Sequence, residues 1–157
     1  MPNWATNTLT IEGSPELVAR FIDENKTDES IFSFTKSVPT PDTVFQGNLG
    51  AKEREIHGSN NWYDWNIANW GTKWDATITD DEWFVYNEDR TAELNFETAW
   101  SPPVAWIEKA SLVYPELVFA IRYEEEGMQF SGKVMANNGN LTKLEDEEFV
   151  SKYEYED

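Results

Sequence analysis

The side chains best suited to chemistry sit in two acidic turns. "TITDDEW" and "NEDR" place Asp80, Asp81, Glu82, Glu88 and Asp89 near opposite ends of one expected strand. Paired carboxylates can bind calcium or perform glycosidase chemistry. Calcium loops alternate their ligands around a central glycine, and neither segment has that spacing, so solvated turns are the simpler reading. His57, in "REIHGSNN", is the chain's single histidine. One imidazole cannot build a two-histidine metal site, and no matched nucleophile and carboxylate accompany it for a triad. An exposed loop histidine is expected. The absence of cysteine removes disulfides, thiolate metal sites and cysteine nucleophiles together. "GNLG" and "NNGN" lack the Lys-Ser/Thr ending of a phosphate loop. The expectation is a protein with no catalytic residues, no metal and no cofactor.

Charge gives a stronger signal. Thirty acidic residues against twelve basic ones leave a formal charge of −18 and a pI near 4.2. Such a field repels DNA, RNA and anionic membranes and attracts basic surfaces, including the grooves in which other proteins hold nucleic acid. Solubility alone is the bland alternative. The candidate partner-binding carboxylates fall in three groups. Glu93 and Glu97 lie on one face of a strand, Glu124, Glu125 and Glu126 end an apolar strand, and Glu145, Asp146, Glu147 and Glu148 run together near the end of the chain. Together they are expected to form an acidic rim along the sheet edge and the final segment.

The aromatic block "NWYDWNIANWGTKWDA" (61–76) holds four tryptophans and a tyrosine. A sugar or base-stacking platform needs exposed rings flanked by hydrogen-bonding or basic groups, and only Lys73 lies within the block. Burying such rings removes about 150–250 Å² each from water, on the order of several kcal/mol apiece. Packing is therefore expected for Trp62, Trp65, Trp70, Trp74 and Trp100. Asn61, Asn66 and Asn69 are expected to cap helix ends or to bond indole N–H groups.

These residues must be carried by regular elements. "NTLTIEG" (7–13) alternates as a strand ended by Gly13. Ser14-Pro15 reads as N-cap and first helical position, opening a helix to about Asn25 with Leu17, Val18, Phe21 and Ile22 inward. "IFSF" (31–34) is a short apolar stretch, followed by a connection of low regularity through Glu53. A helix from about Asn61 to Asn69, ended by Gly71, follows; the width of its aromatic stripe suggests an embedded helix. "EWFVYNEDRTAELNFETAW" (82–100) reads as a hairpin, with Ala92, Leu94, Phe96 and Thr98 inward and Glu93, Asn95 and Glu97 outward. Ser101-Pro102-Pro103 repeats the capping logic and opens a helix through Leu112 that turns Val104, Trp106, Ile107 and Ala110 inward. "LVFAIRY" (117–123) has the two apolar faces of a central strand, and "MQFSGKVMA" (128–136) follows it into the turn "NNGN". Without the insert (about 35–78), a β-α-β-β-α-β skeleton remains. The fold class is α+β, a ferredoxin-like, mainly antiparallel sheet with helices on one face and a Trp-rich helical insert. One domain is expected over 1–157, with an acidic C-terminal segment from about 137.

"MPNWATNTLTIEG", "FSFTKSVPTP", "NWYDWNIANWGTKWDA", "FETAWSPP" and "YPELVFAIRYEEEGMQFSG" together resemble a phage- and plasmid-borne family called YubB-like. The blocks span roughly residues 1 to 132. The resemblance implies a ferredoxin-like domain in topology only, with no iron–sulfur cluster, since cysteine is absent. Ala5 stands where relatives often carry cysteine. The resemblance brings no reaction, only the context of small acidic mobile-element proteins that act on host defences.

Three functions are then expected in order. The first is a non-enzymatic inhibitor of anti-CRISPR or anti-restriction type, occupying the basic DNA- or RNA-binding surface of a host protein or ribonucleoprotein complex. The second is an adaptor or oligomerising module, a homodimer included, that binds by its sheet face or a strand edge. The third is a carboxylate-based hydrolase. Direct nucleic-acid and membrane binding are not expected. Met1-Pro2-Asn3-Trp4 has no basic or apolar leader character and no apolar run approaches the roughly 20 residues of a membrane span, so the cytoplasm of the host cell is the expected location.

Overall fold

In the segment Trp4–Glu12 the odd-numbered residues Ala5, Asn7, Leu9 and Ile11 are buried and the even-numbered ones are not. That period of two belongs to a strand covered on one side. The strand, β1, starts before the "NTLTIEG" stretch because Ala5 continues its buried row. The structure is a computed structural model that describes residues 3–76, 78, 84–87 and 91–143. Past Gly13, the Ser14 Oγ accepts from the Leu17 N–H at 3.3 Å and caps helix α1 (Pro15–Glu24). Pro15 occupies the first turn, where a missing N–H costs nothing. Val18 and Phe21 are fully buried, with Leu17 and Ile22 packed beside them.

The insert is more ordered than its sequence suggests. "IFSF" delivers Phe32 and Phe34 into the core without forming a strand. The expected irregular connection runs at its end into a helix, α2 (Ala51–His57), none of whose residues is buried. Its support is local: good helix formers in "AKERE", and a Gly50 N–H that donates to the Glu53 carboxylate at 2.9 Å. Helix α3 (Trp62–Asn69) follows, capped by Asn61, whose Oδ1 accepts from the Asp64 N–H at 2.9 Å. Gly71, at φ +85°, turns the chain out of it.

The remaining elements are β2 (Phe84–Asn87), β3 (Thr91–Ala99), α4 (Val104–Val113), β4 (Val118–Glu125), β5 (Phe130–Asn137) and β6 (Asn140–Lys143). Among the described residues these strands join β1 in a six-stranded sheet of order β2-β3-β1-β4-β5-β6, with every neighbour antiparallel. The run β2-β3-β1-β4, with α1 and α4 on one face, is the ferredoxin-like arrangement. β5 and β6 extend it beyond β4, joined by a turn with Asn138 and Gly139 both at positive φ, as a two-residue hairpin requires. The extension makes β4 an interior strand, which is why "LVFAI" is apolar on both faces. α4 begins at Val104 rather than under a Ser101 cap; the Ser101 Oγ instead donates to the Gly71 carbonyl and ties the insert to the end of β3.

The core lies between these helices and the sheet. Trp106 is its largest fully buried side chain, edge-on to Phe21, Phe32 and Phe119, with its indole N–H donating to the Phe34 carbonyl at 3.1 Å. The ends of α1 and α4 are joined by the Tyr114 hydroxyl, which donates to the Glu24 carboxylate at 2.7 Å. That bond, followed by Arg20, holds the Glu24 carboxyl below its ordinary pKa. Burial, followed by the same bond, pushes the Tyr114 hydroxyl above its ordinary value. Glu24 therefore contributes stability above the ordinary carboxylate pKa that is lost as pH falls through its depressed value. Tyr114 contributes stability below the ordinary phenol pKa that is lost as pH rises through its raised value. Thermal midpoints from pH 3 to 11 should fall less at both ends in Tyr114→Phe than in the native chain; parallel curves would show that this bond does not contribute.

Candidate protein-binding surface

The even-numbered positions of β1 define the other side of the sheet. No described helix packs there, and Thr6, Thr8 and Thr10 are half-exposed. Register across the strands builds three rows. Glu97, Thr6, Glu124 and Ser131 form the first, Asn95, Thr8, Arg122 and Lys133 the second, and Glu93, Thr10, Ala120 and Met135 the third. The Thr8 hydroxyl donates to the Asn95 Oδ1 at 2.9 Å, which fixes the middle of the face. With strands about 4.8 Å apart, Glu97 and Glu124 are separated by about 10 Å, and four residues along β3 put Glu93 about 13 Å from Glu97. The face is acidic at its two margins and carries Arg122 and Lys133 between them.

The expected acidic groups do not all meet on this face. Glu124 points to it, but Glu125 points the other way and is 1% exposed. The Glu125 carboxylate accepts from the Gly127 N–H at 2.6 Å and the Met128 N–H at 2.7 Å, closing the β4–β5 turn. It is a structural residue, not a partner-binding one. The alternation Phe119, Ile121, Tyr123 gives the parity that puts Glu125 inward, a signal present in the sequence. Glu126 is exposed in the turn. Glu145, Asp146, Glu147 and Glu148 lie outside the described residues, as do Asp80, Asp81, Glu82, Glu88 and Asp89.

The tryptophans divide. Trp70 is buried and its indole N–H donates to the Val38 carbonyl at 3.0 Å; Trp62 and Trp65 are half-buried. Trp74 and Trp100 are exposed, which corrects the packing expected of them, and Trp4 joins them at the surface. α3 is not an embedded helix: its one buried residue is Asn66, whose side-chain amide donates to the Lys73 carbonyl at 2.8 Å. Asn69 donates to the Trp65 carbonyl, so neither asparagine bonds an indole. His57 ends α2 and stacks on Phe45 with ring centroids 4.1 Å apart, rather than standing free in a loop.

A cleft of about 390 Å³ opens beside the base of the insert, with Asp28, Glu29 and Asp75 in its wall together with hydroxyl side chains and no aromatic ring among its described lining. The Asp75 carboxylate is committed: it accepts from the Ser33 hydroxyl and the Phe34 N–H. Burial raises its pKa, opposed by those hydrogen bonds. Its geometry joins the insert's return to the segment bearing Phe32 and Phe34. Among the described residues no group of three or more acidic or imidazole side chains is placed to hold a metal ion, and no helix is long and apolar enough to cross a membrane.

A family model described as the ferredoxin-like domain in Api92-like protein matches residues 69–157. The crystal structure of a protein Api92 from Yersinia pseudotuberculosis superposes with a TM-score of 0.57, covering 92% of this chain and 99% of that one at 10% identity. At that identity the likeness is one of fold. No curated protein sequence matches the chain.

Proposed function

We propose that this chain, which belongs to the family of ferredoxin-like domains in Api92-like proteins, is a non-enzymatic binding protein that occupies a basic, nucleic-acid-holding surface of a host defence complex. The observation that carries this reading is the placement of Glu93, Glu97 and Glu124, on either side of Arg122 and Lys133, on the sheet face where no described helix packs, in a chain with a net charge of −18. Host complexes of the CRISPR or restriction type offer cationic grooves to such a surface. Duplex DNA carries one charge per roughly 1.7 Å of axis, far denser than these carboxylates. The proposed contact is therefore electrostatic capture of a groove, not a phosphate-by-phosphate copy of a duplex. The resemblance of several sequence blocks to phage- and plasmid-borne proteins supports a mobile-element origin and, with it, action inside the host cell.

A second reading, an adaptor that docks by apolar contact, is favoured by the exposure of Trp4, Trp74 and Trp100. Salt separates the two, because the Debye length falls from about 10 Å at 0.1 M to about 3 Å at 1 M. Host proteins captured on the immobilised chain should be nucleic-acid-binding complexes, released by high salt and by competing DNA. Reversing charge at Glu93→Lys with Glu97→Lys should reduce that capture by roughly tenfold or more, in line with the several-fold to many-fold cost of like-charge contacts. Capture that survives high salt, ignores DNA and is indifferent to the double reversal would overturn the proposal in favour of the adaptor.

A further inference from the structure

Among the described residues three indoles remain at the surface, Trp4 at 43%, Trp74 at 40% and Trp100 at 44% exposure. They come from separate segments that the fold brings together. Trp4 begins β1 opposite Ala99, and the Trp100 N–H donates to the Asn3 carbonyl at 2.8 Å. The Thr72 hydroxyl donates to the Ala99 carbonyl at 2.8 Å, which brings the insert's return to the same place. Trp74 then lies against Trp4 with centroids 6.0 Å apart and planes 36° from parallel.

Two details say what such a surface accepts. The Lys73 ammonium sits 4.4 Å from the centroid of Trp74, so one of these rings already holds a cation. Trp100 has φ +74°, a left-handed conformation that a bulky L-residue adopts only under strain. Glycine or asparagine would satisfy that backbone without strain, and burial does not explain the ring's presence.

We infer that Trp4, Trp74 and Trp100 form an anchor for arginine side chains of the basic partner. The inference rests on the proposed function and specifies how that partner is gripped. Trp4 shares the face on which no described helix packs with the exposed Glu97, which lies one row away on the neighbouring strand. A guanidinium is planar and weakly hydrated, so it can stack on an indole while its edge donates to a carboxylate. A lysine ammonium is compact and strongly hydrated and gains less from the ring. Tryptophan and arginine are also the residues over-represented where protein interfaces concentrate their binding energy.

Fluorescein-labelled nona-arginine and nona-lysine peptides, titrated against the full chain and read by anisotropy, test this. The arginine peptide should bind tighter, by about threefold or more at near-physiological salt. Trp4→Leu and Trp100→Gly should each reduce the preference for arginine. Glu97→Gln should weaken both peptides, the arginine peptide at least as much as the lysine one, because the guanidinium edge loses its carboxylate. Trp100→Gly should keep the native thermal midpoint or raise it, because it removes a strained backbone; a fall of many degrees would show that the ring is structural and overturn its assignment. Equal binding of the two peptides, or a preference untouched in folded Trp4→Leu and Trp100→Gly chains, overturns the anchor while leaving the basic-partner reading in place. Failure of both peptides to bind overturns both.

Discussion

Trp106→Ala should destabilise the fold by about 3–5 kcal/mol, the range for deleting a large buried aromatic side chain. The ring is fully buried where α4, α1, the sheet and the insert meet, and its loss removes edge-on contacts to Phe21, Phe32 and Phe119 at once. It also strips the Phe34 carbonyl of its indole donor. Four crowded aromatic neighbours cannot all collapse into the space, so a cavity penalty adds to the lost transfer energy. For a chain of this size each kcal/mol shifts the thermal midpoint by about 2–4 °C, so a fall of roughly 6–20 °C is expected in calorimetry. Urea titration should show a lower midpoint with an unchanged slope. Trp74→Ala should cost about 1 kcal/mol or less, as for surface positions. Equal losses at the two positions would contradict the division of the tryptophans into core and surface.

Asp75→Ala should be the next largest, about 2–4 kcal/mol, because it leaves the Phe34 N–H and the Ser33 hydroxyl without their acceptor in a confined place. Its dependence on pH has a distinctive sign. Burial, the leading cause, raises the Asp75 pKa above that of the unfolded chain. The folded state therefore holds this proton more tightly, and Asp75's contribution is greatest below the ordinary carboxylate pKa and declines as pH rises through the raised value. The cost of Asp75→Ala, measured by denaturant titration at a series of pH values, should be larger at acid pH than at neutral pH. Asp75→Asn, which cannot titrate, should make the difference from the native chain vary over the same window. A cost that grows with pH would mean that the hydrogen bonds outweigh burial. Glu24 has the opposite sign, so the two carboxylates divide by environment and not by residue type.

Much of the architecture was legible because local rules and tertiary packing agree. Ser14-Pro15 marks a helix start by capping chemistry alone, β1 and β3 alternate because one side is covered, and the doubly apolar "LVFAI" announces an interior strand. Helix α2 was not legible: "AKEREIH" has no apolar stripe, since the helix buries nothing. The Ser101 hydroxyl suits a cap as well as it suits the Gly71 carbonyl, and only the distant placement of Gly71 decides between them. The Asp75 link to Ser33 and Phe34 bridges about forty positions, a distance over which sequence spacing carries no information.

The candidate surface was legible in part. The parity of β3 puts Glu93 and Glu97 on one side from sequence alone, and the same parity applied to β4 removes Glu125. Composition points the other way for Trp74 and Trp100, because large rings are usually buried. Neither their exposure nor the left-handed backbone at Trp100 leaves a mark in the residue types around them.

The partition of the indoles gives the molecule two independent optical reporters. Trp70 and Trp106, shielded by protein, should emit at shorter wavelength and resist acrylamide, while Trp4, Trp74 and Trp100 should emit to the red and quench readily. Iodide, an anion facing a strongly anionic molecule, should quench less than acrylamide even at the accessible rings. Unfolding and occupation of the surface would then be read separately in one cuvette: the blue component tracks loss of the core, and the red component tracks arrival of a ligand.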